Sequence, residues 1–260
     1  MKHHPETCVI CCIVVAAVSL AAGCAPPEVA LGARQVLARA VDNLVSLQSY
    51  RYRGTSTMTA AGDARLDSKA SFDTVLQQNR SGGLDGHMVV KSSGYSYETY
   101  SWSGTEYTRV EGAGWTRAAK GEAEPGYGMV STDARQIITR FADLVEGVKF
   151  TGRAPGYWTV AMTMGEKYRS GAAAIAGAPA ASGAGRNTEM TLTISKKDFT
   201  MRTVVMKDAS EASGSAPAIT IVTRGTYSAF NDPTDLRPPA AAFEAPLVSA
   251  QEAPPTQQPQ

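Results

Sequence analysis

The chain has 260 residues, 25 basic and 24 acidic side chains, and a formal net charge of +1. It holds no basic block, which excludes nucleic acid as a partner class, and its scattered carboxylates exclude a calcium-loop protein. Three histidines and four cysteines are too few for a zinc or copper centre, so no metal or other cofactor is expected.

The first element is a leader. Lys2, His3 and His4 precede an apolar run from Val9 to Ala22, which contains Cys11 and Cys12 and follows Cys8. The run is shorter than the roughly 20 residues needed to span a bilayer, and small residues close it, as in a secretory signal. The residues Leu20-Ala21-Ala22-Gly23-Cys24 resemble a bacterial lipoprotein signal, the lipobox. That resemblance implies a signal peptide over residues 1–23, cleavage before Cys24, and diacylglyceryl and palmitate groups on Cys24. The protein is then a lipoprotein anchored on the extracytoplasmic face of the cell membrane. A plain secretory signal that leaves a free thiol is the alternative. Either way one cysteine remains, an internal disulfide is impossible, and the fold must rest on a hydrophobic core. Residues 24–27 form a short tether of about 13 Å, which would hold the domain against the bilayer.

After Pro26 and Pro27, the residues Val29, Ala33, Val36, Leu37, Ala40, Val41, Leu44 and Leu47 recur at three and four, which predicts a helix of about 18 residues. The period then changes to two. Residues 50–59 (YRYRGTSTMT), 69–78, 84–92, 95–110 and 111–117 alternate like strands, with turn signals at 79–83, at Ser103-Gly104 and at 111–114. A second helix is predicted from about Ser131, where Asp133 and Gln136 stand as in a capping box, to Gly147. Four more strands follow, around 148–164, 187–195, 199–207 and 218–230, with a hairpin turn at Lys196-Lys197-Asp198. The short connections leave no room for parallel crossovers, so the sheet is antiparallel. Residues 170–185 and 208–217 read as low-complexity loops. Residues 234–260, rich in Pro and Ala, read as a disordered tail.

This order resembles the LolA/LppX superfamily over residues 28–233. The features that carry it are a lipidated cysteine, a first helix running into SYRYRGT, a meander with Tyr107, Arg109 and Trp115, and the closing MTLTISKKDFTMRTVVMKD and ITIVTRGTYSAFNDP strands. The resemblance implies an α+β fold, a curved, incomplete antiparallel β-barrel wrapped around helices, with an apolar cavity for acyl chains. It also implies lipid binding and transport, with a lipid or lipoprotein as cargo. Sensor relatives imply the alternative, an envelope stress or lipid sensor, or a protein-interaction module with an envelope protein as partner.

Catalytic chemistry has little to work with. His87 is the only histidine beyond the signal, and it sits on a strand with Asp85 and Lys91 on its side. No nucleophile elbow, zincin helix or phosphate loop occurs, and Glu122 and Glu124 fall in a Gly/Pro loop, so an enzyme is not expected. The apolar surface is more telling. Met58, Met88, Met129, Met162, Met164, Met190, Met201 and Met206 supply side chains that repack around varied guests. Strand parity groups Val160, Met162 and Met164 (with Trp158), Met190, Leu192 and Ile194, and Ile219 and Ile221. With Met88 and Val90, and with Val41, Leu44, Ile138 and Phe141 from the helices, they make the predicted ligand-binding interior. The same spacing also describes an ordinary packed core. The aromatics Tyr95, Tyr97, Tyr100, Trp102 and Tyr107 read as a cavity rim, a membrane-facing edge, or simply good strand formers.

Overall fold

The computed structural model describes residues 31–119, 145–164, 187–212 and 217–248. Helix α1 (Ala33–Ser46) buries Val36, Leu37, Ala40, Val41 and Leu44, the stripe that the spacing predicts. It is 14 residues long and starts later than expected, because Leu31 and Gly32 are not helical. A glycine inside a helix costs about 1 kcal/mol, and Gly32 marks the boundary. The end of α1 is tied down by side chains: Ser46 Oγ donates to Asn43 O (2.8 Å) and Gln78 Nε2 donates to Leu47 O (3.2 Å).

Among the described residues eleven strands follow: β1 (Ser49–Ala60), β2 (Ser68–Gln78), β3 (Leu84–Ser92), β4 (Ser96–Trp102), β5 (Thr105–Val110), β6 (Trp115–Ala119), β7 (Val145–Gly152), β8 (Tyr157–Met164), β9 (Asn187–Ser195), β10 (Met201–Ser210) and β11 (Ile219–Ser228). They form one sheet in the order β6-β5-β4-β3-β2-β1-β11-β10-β9-β8-β7, and every neighbouring pair is antiparallel. Two meanders thus meet at β1 and β11, and β6 and β7 are the edges. The sheet is open rather than closed into a barrel. Among the described residues its helical companions are α1, a 3-10 turn (Ala64–Leu66) and the four-residue α2 (Ala240–Phe243).

The turns follow local chemistry. Ser103 (φ 49°) and Gly104 (φ 81°) make the two-residue β4–β5 hairpin, whose handedness needs both angles positive. At the β2–β3 turn, Asn79 Oδ1 accepts from Ser81 N and Gly83 N. The second predicted helix lies largely outside the described residues, but its last three positions, Val145 to Gly147, already belong to β7. That span is part of an edge strand paired with β8, and pairing overrides its helical spacing.

The chain after β11 is a second departure. Expected as part of a disordered tail, residues 234–248 instead pack on the sheet. Thr234 N donates to Gln77 Oε1, and Leu236, Ala242 and Ala245 are buried. Phe243 meets the Tyr107 ring edge-on at 5.3 Å, and Arg237 lies over the Phe243 ring at 5.7 Å. The last residues run parallel to β6: Arg117 N donates to Pro246 O (3.1 Å) and Val248 N to Arg117 O (2.9 Å). Proline-rich composition misleads here because a few apolar side chains find a finished sheet to pack on.

Candidate functional site

The register places one residue from each of ten strands in a single row across one face of the sheet. From β7 to β5 it reads Phe150, Val160, Leu192, Val204, Gly225, Gly54, Phe72, Val90, Tyr97 and Val110. No member carries a charge. We call this the inner face. On one side of that row, Val148, Met162, Met190 and Met206 pair across β7 to β10, and Met58 pairs with Ile221 across β1 and β11. On the other side, Trp158 pairs with Ile194, Tyr52 with Tyr227, and Met88 with Thr74.

The centre of this face is aromatic and tightly built. Gly54 and Gly225 face each other, and a Cβ on either would be built into a neighbouring ring, Phe72 over Gly54 and Tyr52 over Gly225. Tyr52 stacks near Phe72 (5.1 Å) and Tyr227 (4.7 Å), and burial pushes its phenol up to about 12. Burial then falls along β11: Tyr227 and Gly225 are buried, but Ile219 and Ile221 are half-buried, as are Met58 and Met206 beside them. The inner face is therefore closed at its aromatic centre and still partly accessible at the far ends of β1, β10 and β11.

Helix α1 packs against β7, and its polar side reaches the β9–β10 turn. Asn43 Nδ2 donates to Asp198 O (2.9 Å), and Arg39 lies over Phe199 at 5.1 Å. Phe199 in turn stacks on Trp158. Its φ of 56° is the left-handed region that a bulky residue seldom adopts.

The predicted ligand-binding residues distribute as follows. Met88, Val90, Val160, Met162, Met190, Leu192 and Ile194 are buried on the inner face, with Ile219 and Ile221 half-buried there. Val41 and Leu44 lie on the buried stripe of α1. Met164 is described by its backbone alone, and Ile138 and Phe141 lie outside the described residues. Sequence reading missed Tyr52, Phe72, Val204 and Tyr227, although the alternation of YRYRG already puts Tyr50, Tyr52 and Gly54 on one side. The aromatics Tyr95, Tyr97, Tyr100, Trp102 and Tyr107 do not form one surface. Tyr97 pairs with Val90 on the inner face, while Tyr100 pairs with His87 and Tyr107 on the other.

That outer face is polar. His87 Nε2 lies 3.0 Å from Glu98 Oε1 and its ring stacks on Tyr100 at 4.2 Å. Glu98 also accepts from Tyr100 (3.1 Å) and Arg109 (2.7 Å). Burial alone would raise the Glu98 carboxyl, but hydrogen bonds from His87, Arg109 and Tyr100 outweigh it and hold the group below its ordinary value. An open groove of about 460 Å³ lies beside this cluster, with Lys91, Glu98, Arg109 and Glu111 in its walls. None of its polar lining belongs to the predicted interior. Among the described residues no group of three His, Cys, Asp or Glu side chains is placed to hold a metal, and no helix is long and apolar enough to cross a membrane.

No protein-family model and no curated protein matches the sequence. Solved structures do. A DUF1329 family protein from Desulfovibrio piger is similar at 11% identity and a TM-score of 0.31, over 82% of this chain and 97% of that one. MucB in complex with MucA(peri) is similar at 12% identity and a TM-score of 0.34; the match takes in 81% of this chain and 60% of MucB. A LolA superfamily protein from Nitrosomonas europaea is similar at 10% identity and a TM-score of 0.28, over 76% and 92% of the two chains. These are distant likenesses, and the functional reading rests on the geometry of the chain itself.

Proposed function

We propose that this protein is a lipid-anchored, extracytoplasmic binding protein that takes a lipid or acylated molecule against the inner face of its sheet, for transport or presentation in the cell envelope. The supporting observation is the uncharged row across ten strands, with half-buried Met58, Met206, Ile219 and Ile221 on one side of it, further along β1, β10 and β11. Methionine and isoleucine there offer a deformable apolar surface to a guest. Each acyl CH₂ removed from water contributes about 0.8 kcal/mol, so a 16-carbon chain contributes on the order of 10 kcal/mol. Release into water is then too costly, and unloading requires an acceptor that replaces the burial. Cys24 is the proposed attachment point of the anchor.

The test is binding of a fluorescent fatty acid by the purified chain and by Ile221→Glu and Met206→Glu. A charge at either half-buried position is expected to weaken binding at least tenfold while circular dichroism stays unchanged. Equal binding by both variants would remove the inner face as the site. Cys24→Ser is expected to move the protein from the membrane to the soluble fraction.

A further inference from the structure

We propose that the β6 edge is a strand-docking site, filled in this structure by the chain's own C-terminal segment, and that an extended peptide of another protein displaces that segment. The peptide is one with an aromatic residue two positions before a small apolar residue, the pattern of Phe243 on Tyr107 and of the buried Ala245. This goes beyond lipid binding and does not depend on it.

The seated segment defines the chemistry. Its Phe243 ring meets Tyr107, Arg117 Nη1 donates to Phe243 O (3.4 Å), and two main-chain bonds join Pro246 and Val248 to Arg117. A sheet edge accepts any strand of suitable register through the same main-chain groups, and side-chain pockets select among them. The hold is short. The α2 turn has four residues and no side-chain cap at Pro239, and Leu247 is 68% exposed. Segments with few buried contacts open at low free-energy cost. The pairing is also parallel. Two copies related by a two-fold axis and joined edge to edge would pair β6 with β6 antiparallel, so this seat suits a peptide rather than a second sheet.

The probe is a labelled synthetic peptide covering residues 240–250, added to full-length wild type, to Phe243→Ala and to the weaker-clasped Phe243→Ser/Ala245→Asp. Circular dichroism and the unfolding midpoint identify the folded variants. The peptide is expected to bind a folded variant at least tenfold more tightly than wild type, and to restore hydrogen-exchange protection at residue 117. A folded variant that does not bind it, equal binding by wild type, or binding without protection at residue 117 would overturn the proposal. So would a variant that forms dimers by exchanging its own segment and ignores the peptide.

Discussion

Gly54 and Gly225 are where the sheet admits the least change. Replacing glycine by alanine in a strand ordinarily stabilises by reducing the freedom of the unfolded chain. Here the added methyl meets the Tyr52 ring at Gly225, and the Phe72 ring and the Arg224 carbonyl at Gly54. Overpacking of this kind costs about 1–3 kcal/mol. Gly225→Ala is expected to lower the urea midpoint, and Gly54→Ala to lower it further, because backbone cannot rotate away as a ring can. A gain in stability at either position would contradict the packing described. Asp73 is the electrostatic counterpart. Arg51 donates to both of its carboxylate oxygens (2.7 and 2.6 Å) and Arg53 to one, which holds the carboxyl below its ordinary value. A lowered carboxyl stabilises fully above its unfolded value of about 3.9 and loses that contribution as pH falls through the folded value. The pairs are partly exposed, so about 0.5–1 kcal/mol is at stake. Asp73→Asn is expected to destabilise at pH 7, by a margin that shrinks as pH falls below the ordinary carboxylate range, in urea unfolding. A difference of the same size at acid and neutral pH would mean that the side chain acts by packing instead.

At the scale of elements, the β9–β10 turn carries backbone strain that its contacts offset. Left-handed Phe199 costs of order 1 kcal/mol or more, and its ring recovers this between Trp158 and Arg39. Phe199→Ala and Phe199→Gly lose the same ring contacts, but only glycine relieves the strain. Glycine is therefore expected to be the more stable of the two by about 1 kcal/mol, the reverse of the usual order in a strand; thermal unfolding of both variants decides it. Strands and turns of this kind were legible in the sequence because their signals are local: alternation in YRYRGTSTMT, Ser103-Gly104, Asn79 before two glycines. The stripe on α1 was legible for the same reason. What pairing and packing decide was not. Val145 and Gly147 read as helix until β8 claims them, and Leu236, Phe243 and Ala245 read as tail until a sheet offers them a surface. The partners of Phe72 and Tyr52 were hidden too, since a ring resting on a glycine of the neighbouring strand leaves no trace in spacing.

For the whole molecule, the open sheet of eleven antiparallel strands sets the terms. Meeting at β1 and β11, the two meanders bring Met190 and Met206 onto the same face as Met88 and Val90, which lie about a hundred residues away in the chain. That face is uncharged along its central row and partly accessible at one end, the arrangement that an acyl chain needs. Native mass spectrometry of the full chain with Cys24→Ser, purified without detergent from cell envelopes, separates a loaded interior from an ordinary core. The expected result is a population heavier by the mass of one lipid, lost in Ile221→Glu. A single unliganded mass that stays unchanged after incubation with envelope lipid extract would contradict the proposed function.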